Sequence, residues 1–431
     1  MEYYRRTAVH DAGGSIAATA KRNVHNDAVD SASPSSPSSC KESSLVYSSW
    51  MPLIHDSLAS LLRWTGTYPA EAQESHLAFV RDVLVPRLKP PAAADRPYYI
   101  STHSHGIFEA SLAFGSHKPA RVRFTVQQLV DPSSGPGGGG GGGGGDPLGQ
   151  KALRERLYCL ASACHADRAW LDAFLDSVFL TAEEEAGLVR NKAAVAASAG
   201  VGPGAAGGLL RQNAFAAFDL EADTDEHGRA ATVMKTYLFP QLKAFATGRT
   251  TVETTDSVVR RLARGDKEML AAWELVQTFL VADGGDKTNI DFLAIDCLAP
   301  SKEPRFKVYI SSRFRSLAAV REALTLGGLL PASSADFLSQ VWPQLMDMED
   351  VPEAEMDHME KPLSDPDSHY QGVSFALAMV PGRAVPQIKM YVPMWQFARD
   401  EAKILDCYQR VLQSQGTMGD YDLRAAVEGA L

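Results

Sequence analysis

The chain has 431 residues, 45% of them hydrophobic and 22% charged, with a formal net charge of −10. That composition suits one large soluble domain or two to three smaller ones. It argues against a general nucleic-acid binder, which would be basic, and no apolar run approaches the ~18 residues of a membrane-spanning helix. The five cysteines form no C-x-x-C pair and the N-terminus lacks the apolar core of a secretory signal, so reduced thiols in the cytoplasm are the expectation.

Residues 1–45 are polar, end in SASPSSPSS and read as a disordered segment, which leaves 46–431 as a single domain. IHDSLASLLRW and AEAQESHLAFVRDVLVPRL carry helical spacing of apolar residues. His103 and His105 follow, but with no cysteine or carboxylate at ligand spacing they read as a loop rather than a metal pair. GIFEASLAF and ARVRFTVQQL alternate as strands. Flexible insertions are predicted near 131–149, which contains the glycine run, and near 193–208; no GK[ST] follows the glycines, so they are not a phosphate loop. Helices are predicted in QKALRERLYCLASAC and RAWLDAFLDSVFL, and strands in NAFAAFDLE and ATVMKTYLF. Two helices around TDSVVRRLARG and KEMLAAWELVQTFL lead to strands NIDFLAIDCL and RFKVYIS. Two more, SLAAVREALTLGG and SADFLSQVWPQLM, lead past an acidic stretch, read as a solvated loop, to strands GVSFALAMV and PQIKMYVPM. Two helices close the chain.

The pattern is two helices and two strands, four times over. Short links within each strand pair imply antiparallel hairpins. A repeated unit that cannot bury its own apolar face implies side-by-side assembly, so the expected fold is α+β, an antiparallel β-barrel of ααββ units with helices outside. The apolar strand face would meet the helices and the polar face would line a lumen.

That polar face has a recurring chemistry. On the second strands, Arg121 and Arg123 share a face, as do Lys235 with Tyr237, Arg305 with Lys307 and Tyr309, and Lys389 with Tyr391. One reading is a set of solvated outer faces with tyrosines favoured by β-propensity. The other is a ring of cations converging on a diphosphate, with tyrosines around an electron-poor organic group.

The ordered motifs GIFEAS, VRF, FDL with MKTYLFP, RFKVYIS and IKMYVP resemble those of the fungal indole prenyltransferases of the dimethylallyltryptophan synthase family, over roughly residues 50–415. The resemblance implies a prenyltransferase barrel that moves a dimethylallyl group from its diphosphate to an aromatic ring without a metal or other cofactor. It implies that Arg123, Lys235, Arg305, Lys307 and Lys389 hold the diphosphate, that Tyr237, Tyr309 and Tyr391 shield the allylic cation, and that Glu109 accepts an indole N–H. The implied partners are dimethylallyl diphosphate and a small aromatic acceptor such as tryptophan or a tryptophan derivative, with no nucleic acid and no membrane; a homodimer is compatible with the reading. Two departures stand out. Lys389 occupies a position that is often glutamine in the family, and the final hairpin is missing, so that eight strands are expected rather than ten. Three outcomes are open: closure with fewer strands, edges covered by a partner or the N-terminal segment, or a weakly active product. A non-catalytic relative that binds an isoprenoid diphosphate or aromatic metabolite is the alternative function, and a helical scaffold a third. No lysine on the strand before Lys235 offers itself as the base for the ring proton; Arg211 and Gln212 are poor ones.

Overall fold

A computed structural model of the protein describes residues 47–88, 107–115, 118–128, 130, 146–191, 213–285, 287–368, 370–414, 416 and 422–430. The expected N-terminal segment 1–45, residues 131–145 and the insertion at 193–208 lie outside the described residues, as do His103, His105, Arg211 and Gln212. Residues 146–149, expected to belong to the first insertion, instead form a tight packed turn. Leu148 is buried there, and the Asp146 carboxylate accepts the Ala152 N–H at 2.9 Å.

Eight strands form one antiparallel sheet in the order β1 to β8. They are β1 (Phe108–Gly115), β2 (Lys118–Gln128), β3 (Ala214–Thr224), β4 (Ala230–Leu238), β5 (Thr288–Asp296), β6 (Phe306–Ser312), β7 (Ser374–Met379) and β8 (Gln387–Tyr391). Each hairpin pairs as its alternation predicts, and each also pairs with the next, so register carries across the sheet. One row reads Glu109, Thr125, Ala217, Lys235, Asp296 from β1 to β5. Another reads Phe215, Tyr237, Ala294, Lys307, Ala378, Gln387 from β3 to β8. Because side chains alternate across a strand, each row lies wholly on one face.

The opposite face is apolar and buried under helices. Val122, Phe124, Phe218, Phe306, Val308, Phe375 and Leu377 belong to one core with Leu58, Leu62, Leu171, Phe174 and Trp273 from the helices. Phe218 sits between Phe124, at 4.9 Å, and Phe79, at 5.1 Å, and Phe174 meets Phe306 edge-on at 6.3 Å. The helix Thr251–Ala263 begins in a capping box of Thr250 and Glu253 that satisfies otherwise orphaned N–H groups. Gly372 enters β7 against the backbone of Ser312–Phe314; a Cβ there would lie 2.7 Å from the Ser312 carbonyl oxygen.

Three features differ from the expectation. Short helices at Ala182–Arg190, Gln241–Thr247 and Glu353–Met356 interrupt the simple repeat. The acidic stretch is not a purely solvated loop. Asp347 pairs with Arg399 at 2.6 Å and Glu349 with Lys403 at 2.8 Å, tying the stretch to the start of the helix Glu401–Ser414, and Glu360 pairs with Arg315, just after β6, at 2.6 Å. Finally, the sheet curls but does not close: among the described residues β1 and β8 are its two edges and do not pair.

Candidate active site

The inner face gathers the charges. Lys235 of β4 donates to the Asp219 carboxylate of β3 at 2.5 Å, and the Arg123 guanidinium of β2 lies 3.2 Å from the same oxygen. One unit further on, Lys307 of β6 donates to Asp296 of β5 at 2.6 Å, and Arg305 donates to its other oxygen, also at 2.6 Å. Both lysines and both aspartates are buried. The arrangement repeats by register: each aspartate stands two residues beyond the strand partner of its lysine, Ala217 for Lys235 and Ala294 for Lys307. Lys389 on β8 is half-buried opposite Ala376. Arg123, Arg305 and Lys235 act on it electrostatically, so the curl of the sheet brings β8 towards β2 and β4 across the inner face. Arg121, nearer the end of β2, pairs with Glu221 at 3.1 Å and is half-exposed.

The electrostatics follow from five cations against two carboxylates in a dry setting. Burial works against ionisation of Asp296, but Lys307, Lys235 and Arg305 more than offset it and hold its carboxyl below the usual carboxylate range. The same balance, through Lys235 and Arg123, lowers Asp219. Burial pushes Lys307 down to about 7, with repulsion from Lys235 and Arg305 adding to it and Asp296 opposing. Burial followed by Arg123, Arg305 and Lys235 brings Lys389 to about 7 as well.

Beside the cations lies an aromatic layer. Tyr237, Tyr309 and Tyr391 cluster with Phe215, Ala217, Ala294 and Ala376, flanked by Phe239 and Phe292. Tyr309 lies 5.6 Å from Tyr237 and 6.0 Å from Tyr391 between ring centroids, and stacks on Phe292 at 4.6 Å. Burial raises the Tyr309 hydroxyl above the usual phenol range, although hydrogen bonds to Tyr237 and Tyr391 oppose that. Glu109 is buried on β1 in the row that ends at Lys235 and Asp296, with only Thr125 and Ala217 between.

All nine residues singled out from the sequence therefore lie on one concave face. The sequence reading missed Asp219 and Asp296, which fix the lysines, and Phe215, Phe239 and Phe292, which extend the aromatic layer. The signal for the aspartates was present in FDLE and AIDCL, where an aspartate follows an apolar run on the first strand of each central hairpin. Among the described residues no three His, Cys, Asp or Glu side chains converge in a way that could hold a metal ion.

The model of the family described as tryptophan dimethylallyltransferase matches residues 47–424. The chain belongs to that family. It is 30% identical over 362 residues to the indole prenyltransferase tdiB of Emericella nidulans, covering 81% of this chain and 79% of the relative. It is also 30% identical to the indole diterpene prenyltransferase terF of Tolypocladium album, covering 90% and 86%. The fold is shared with NotF, solved in complex with brevianamide F and DMSPP, at a TM-score of 0.66 and 19% identity, covering 96% of this chain and 89% of that one. The protein is thus a prenyltransferase of the prenyltransferase-barrel fold. No helix among the described residues is long and apolar enough to cross a membrane.

Proposed function

We propose that this prenyltransferase transfers a dimethylallyl group from dimethylallyl diphosphate to an indole or related aromatic ring, with tryptophan or a tryptophan derivative as acceptor. The observation that carries the proposal is the convergence of Arg123, Lys235, Arg305, Lys307 and Lys389 on one face beside three clustered tyrosines. With the lysines protonated, five cations against the two carboxylates they pair with leave three positive charges, or two once the Glu109 carboxylate on the same face is counted. That excess offsets the charge already on the bound diphosphate and the one further negative charge it gains as the allylic C–O bond breaks, and placing it beforehand lowers the barrier. The tyrosine and phenylalanine faces next to it present electron density to the allylic cation and keep water from it.

The acceptor fits beside this layer. From Glu109 to Lys235 the row crosses three strand spacings of about 4.8 Å each, with only Thr125 and Ala217 between, which leaves width for a bicyclic ring. A carboxylate at Glu109 would accept the ring N–H, orient the ring and raise its electron density. The curated relatives named as indole prenyltransferases support that choice of acceptor.

The test is incubation of purified protein with dimethylallyl diphosphate, a panel of indoles and EDTA. Prenylated product is expected with the metal chelated. Saturable binding of both ligands with no product over days would instead support the non-catalytic reading. Lys307→Ala is expected to reduce kcat/KM by about 10²-fold, the usual cost of removing one preorganised partner of a developing anion; unchanged kinetics would remove Lys307 from the site.

A further inference from the structure

Resting on the diphosphate-binding reading above, we infer that Asp219 and Asp296 are positioning residues that keep Lys235 and Lys307 charged and aimed along the inner face, ready for the diphosphate. Nothing in the transfer chemistry itself calls for acids here; two carboxylates beside a leaving anion would at first sight oppose its binding. Yet both are buried, and each holds a lysine and an arginine: Asp219 joins Arg123 on β2 to Lys235 on β4, and Asp296 joins Lys307 on β6 to Arg305 just before that strand. The same diagonal placement occurs in both hairpins, so it follows from the register and not from one rotamer.

The physical reason is desolvation. An ammonium removed from water and surrounded by other cations sheds its proton unless a nearby anion compensates. Lys307 feels Lys235 and Arg305 as repulsive neighbours, and Asp296 is its compensating one. Lys235 feels Arg123 as repulsive, and Asp219 with Asp296 as attractive. Neutral lysines would not bind a diphosphate as ion pairs. The carboxylates therefore give up part of the positive field and secure protonation of the rest. They also fix where each flexible lysine chain ends.

The distinguishing experiment is calorimetric titration of inorganic pyrophosphate into the wild type, Asp296→Asn and Asp296→Glu between pH 6 and pH 9. At pH 6 the deficit of Asp296→Asn against the wild type is expected to be smallest, since one negative charge is gone and protonation of Lys307, at about 7 with Asp296 in place, is least impaired at the acid end. Above the lysine pKa it is expected to bind more weakly. Each unit by which the lysine pKa drops costs up to about tenfold in affinity there. The affinity ratio of variant to wild type therefore falls as the pH rises from 6 through the wild-type lysine pKa, and Asp296→Glu returns the profile towards the wild type. The ionisation of pyrophosphate is common to all three and cancels in the ratio. Asp219→Asn makes the same test through Lys235 should Asp296→Asn fail to fold. A uniform loss at all pH values, or no change, overturns the inference while leaving the assigned reaction intact. Failure of the wild type to bind pyrophosphate at all overturns both.

Discussion

Lys389 differs from Lys235 and Lys307 in one respect that the register makes plain. Two residues beyond its strand partner Ala376 stands Ala378, where the other two hairpins carry Asp219 and Asp296. Burial and the cations Arg123, Arg305 and Lys235 bring Lys389 to about 7. A diphosphate favours the protonated amine, so binding is strongest below that value and weakens as the pH rises through it. Lys389→Gln should therefore raise the KM for the prenyl diphosphate by about tenfold at pH 6 and much less at pH 8.5, where the lysine is already largely neutral. An equal effect at both pH values would mean that Lys389 stays charged throughout. The lysines and tyrosines were legible in the sequence because a triplet that recurs in phase on second strands is hard to explain one strand at a time. Asp219 and Asp296 were not. An acid towards the end of an apolar strand reads as a solvent-facing residue, and only the pairing of β3 with β2 and β4, and of β5 with β6, sets these two beside buried cations.

Among the elements, β2 and β3 show how the sheet is locked to the link between the helices Ser57–Thr65 and Ala70–Ala78. Their ladder ends at Arg123 and Asp219. At the next position the strands are joined by the Tyr68 hydroxyl, which donates to the Leu220 carbonyl at 2.8 Å and accepts the Val122 N–H at 2.9 Å. Burial pushes this phenol up to about 12, so it stays protonated and able to donate. Tyr68→Phe removes both bonds and leaves buried backbone groups unsatisfied, at a cost of about 1–3 kcal/mol. The expected outcome is a lower Tm with the pyrophosphate affinity retained; a stability equal to the wild type would show that β2 and β3 hold together without this bridge. At this scale the strands were legible to within a few residues because alternation on a half-buried surface is a strong signal. The helices Ala182–Arg190 and Gln241–Thr247 were not. Their apolar residues pack into a small cluster of Leu148, Leu180 and Leu188 with Leu242 at its edge, apart from the main core, so no long periodic stripe announces them.

For the whole molecule, the contrast lies between the sheet, which stays open, and the helical layer, which does not. After β8 the chain runs into the helices Glu401–Ser414 and Leu423–Ala430. The last of these packs on the helix Ser57–Thr65, which lies against β2. Ser60 donates to the Gly429 carbonyl, and Leu423, Ala426 and Val427 are buried. The helices thus connect the β8 side of the sheet to the β2 side across the gap that hydrogen bonds leave between β1 and β8. An eight-stranded sheet with two free edges would otherwise be free to flatten, which would carry Lys389 away from Arg123 and dissolve the cation cluster. On this account the C-terminal helix sustains the curvature of the site although it contributes no residue to it. Ala426→Asp puts a carboxylate into this contact at a position that is 1% exposed and should destabilise it by several kcal/mol. Hydrogen exchange is expected to accelerate first in Ser57–Thr65 and Leu423–Ala430, accompanied by weaker pyrophosphate binding. Faster exchange in those helices with pyrophosphate affinity intact would show that the sheet keeps its curl unaided.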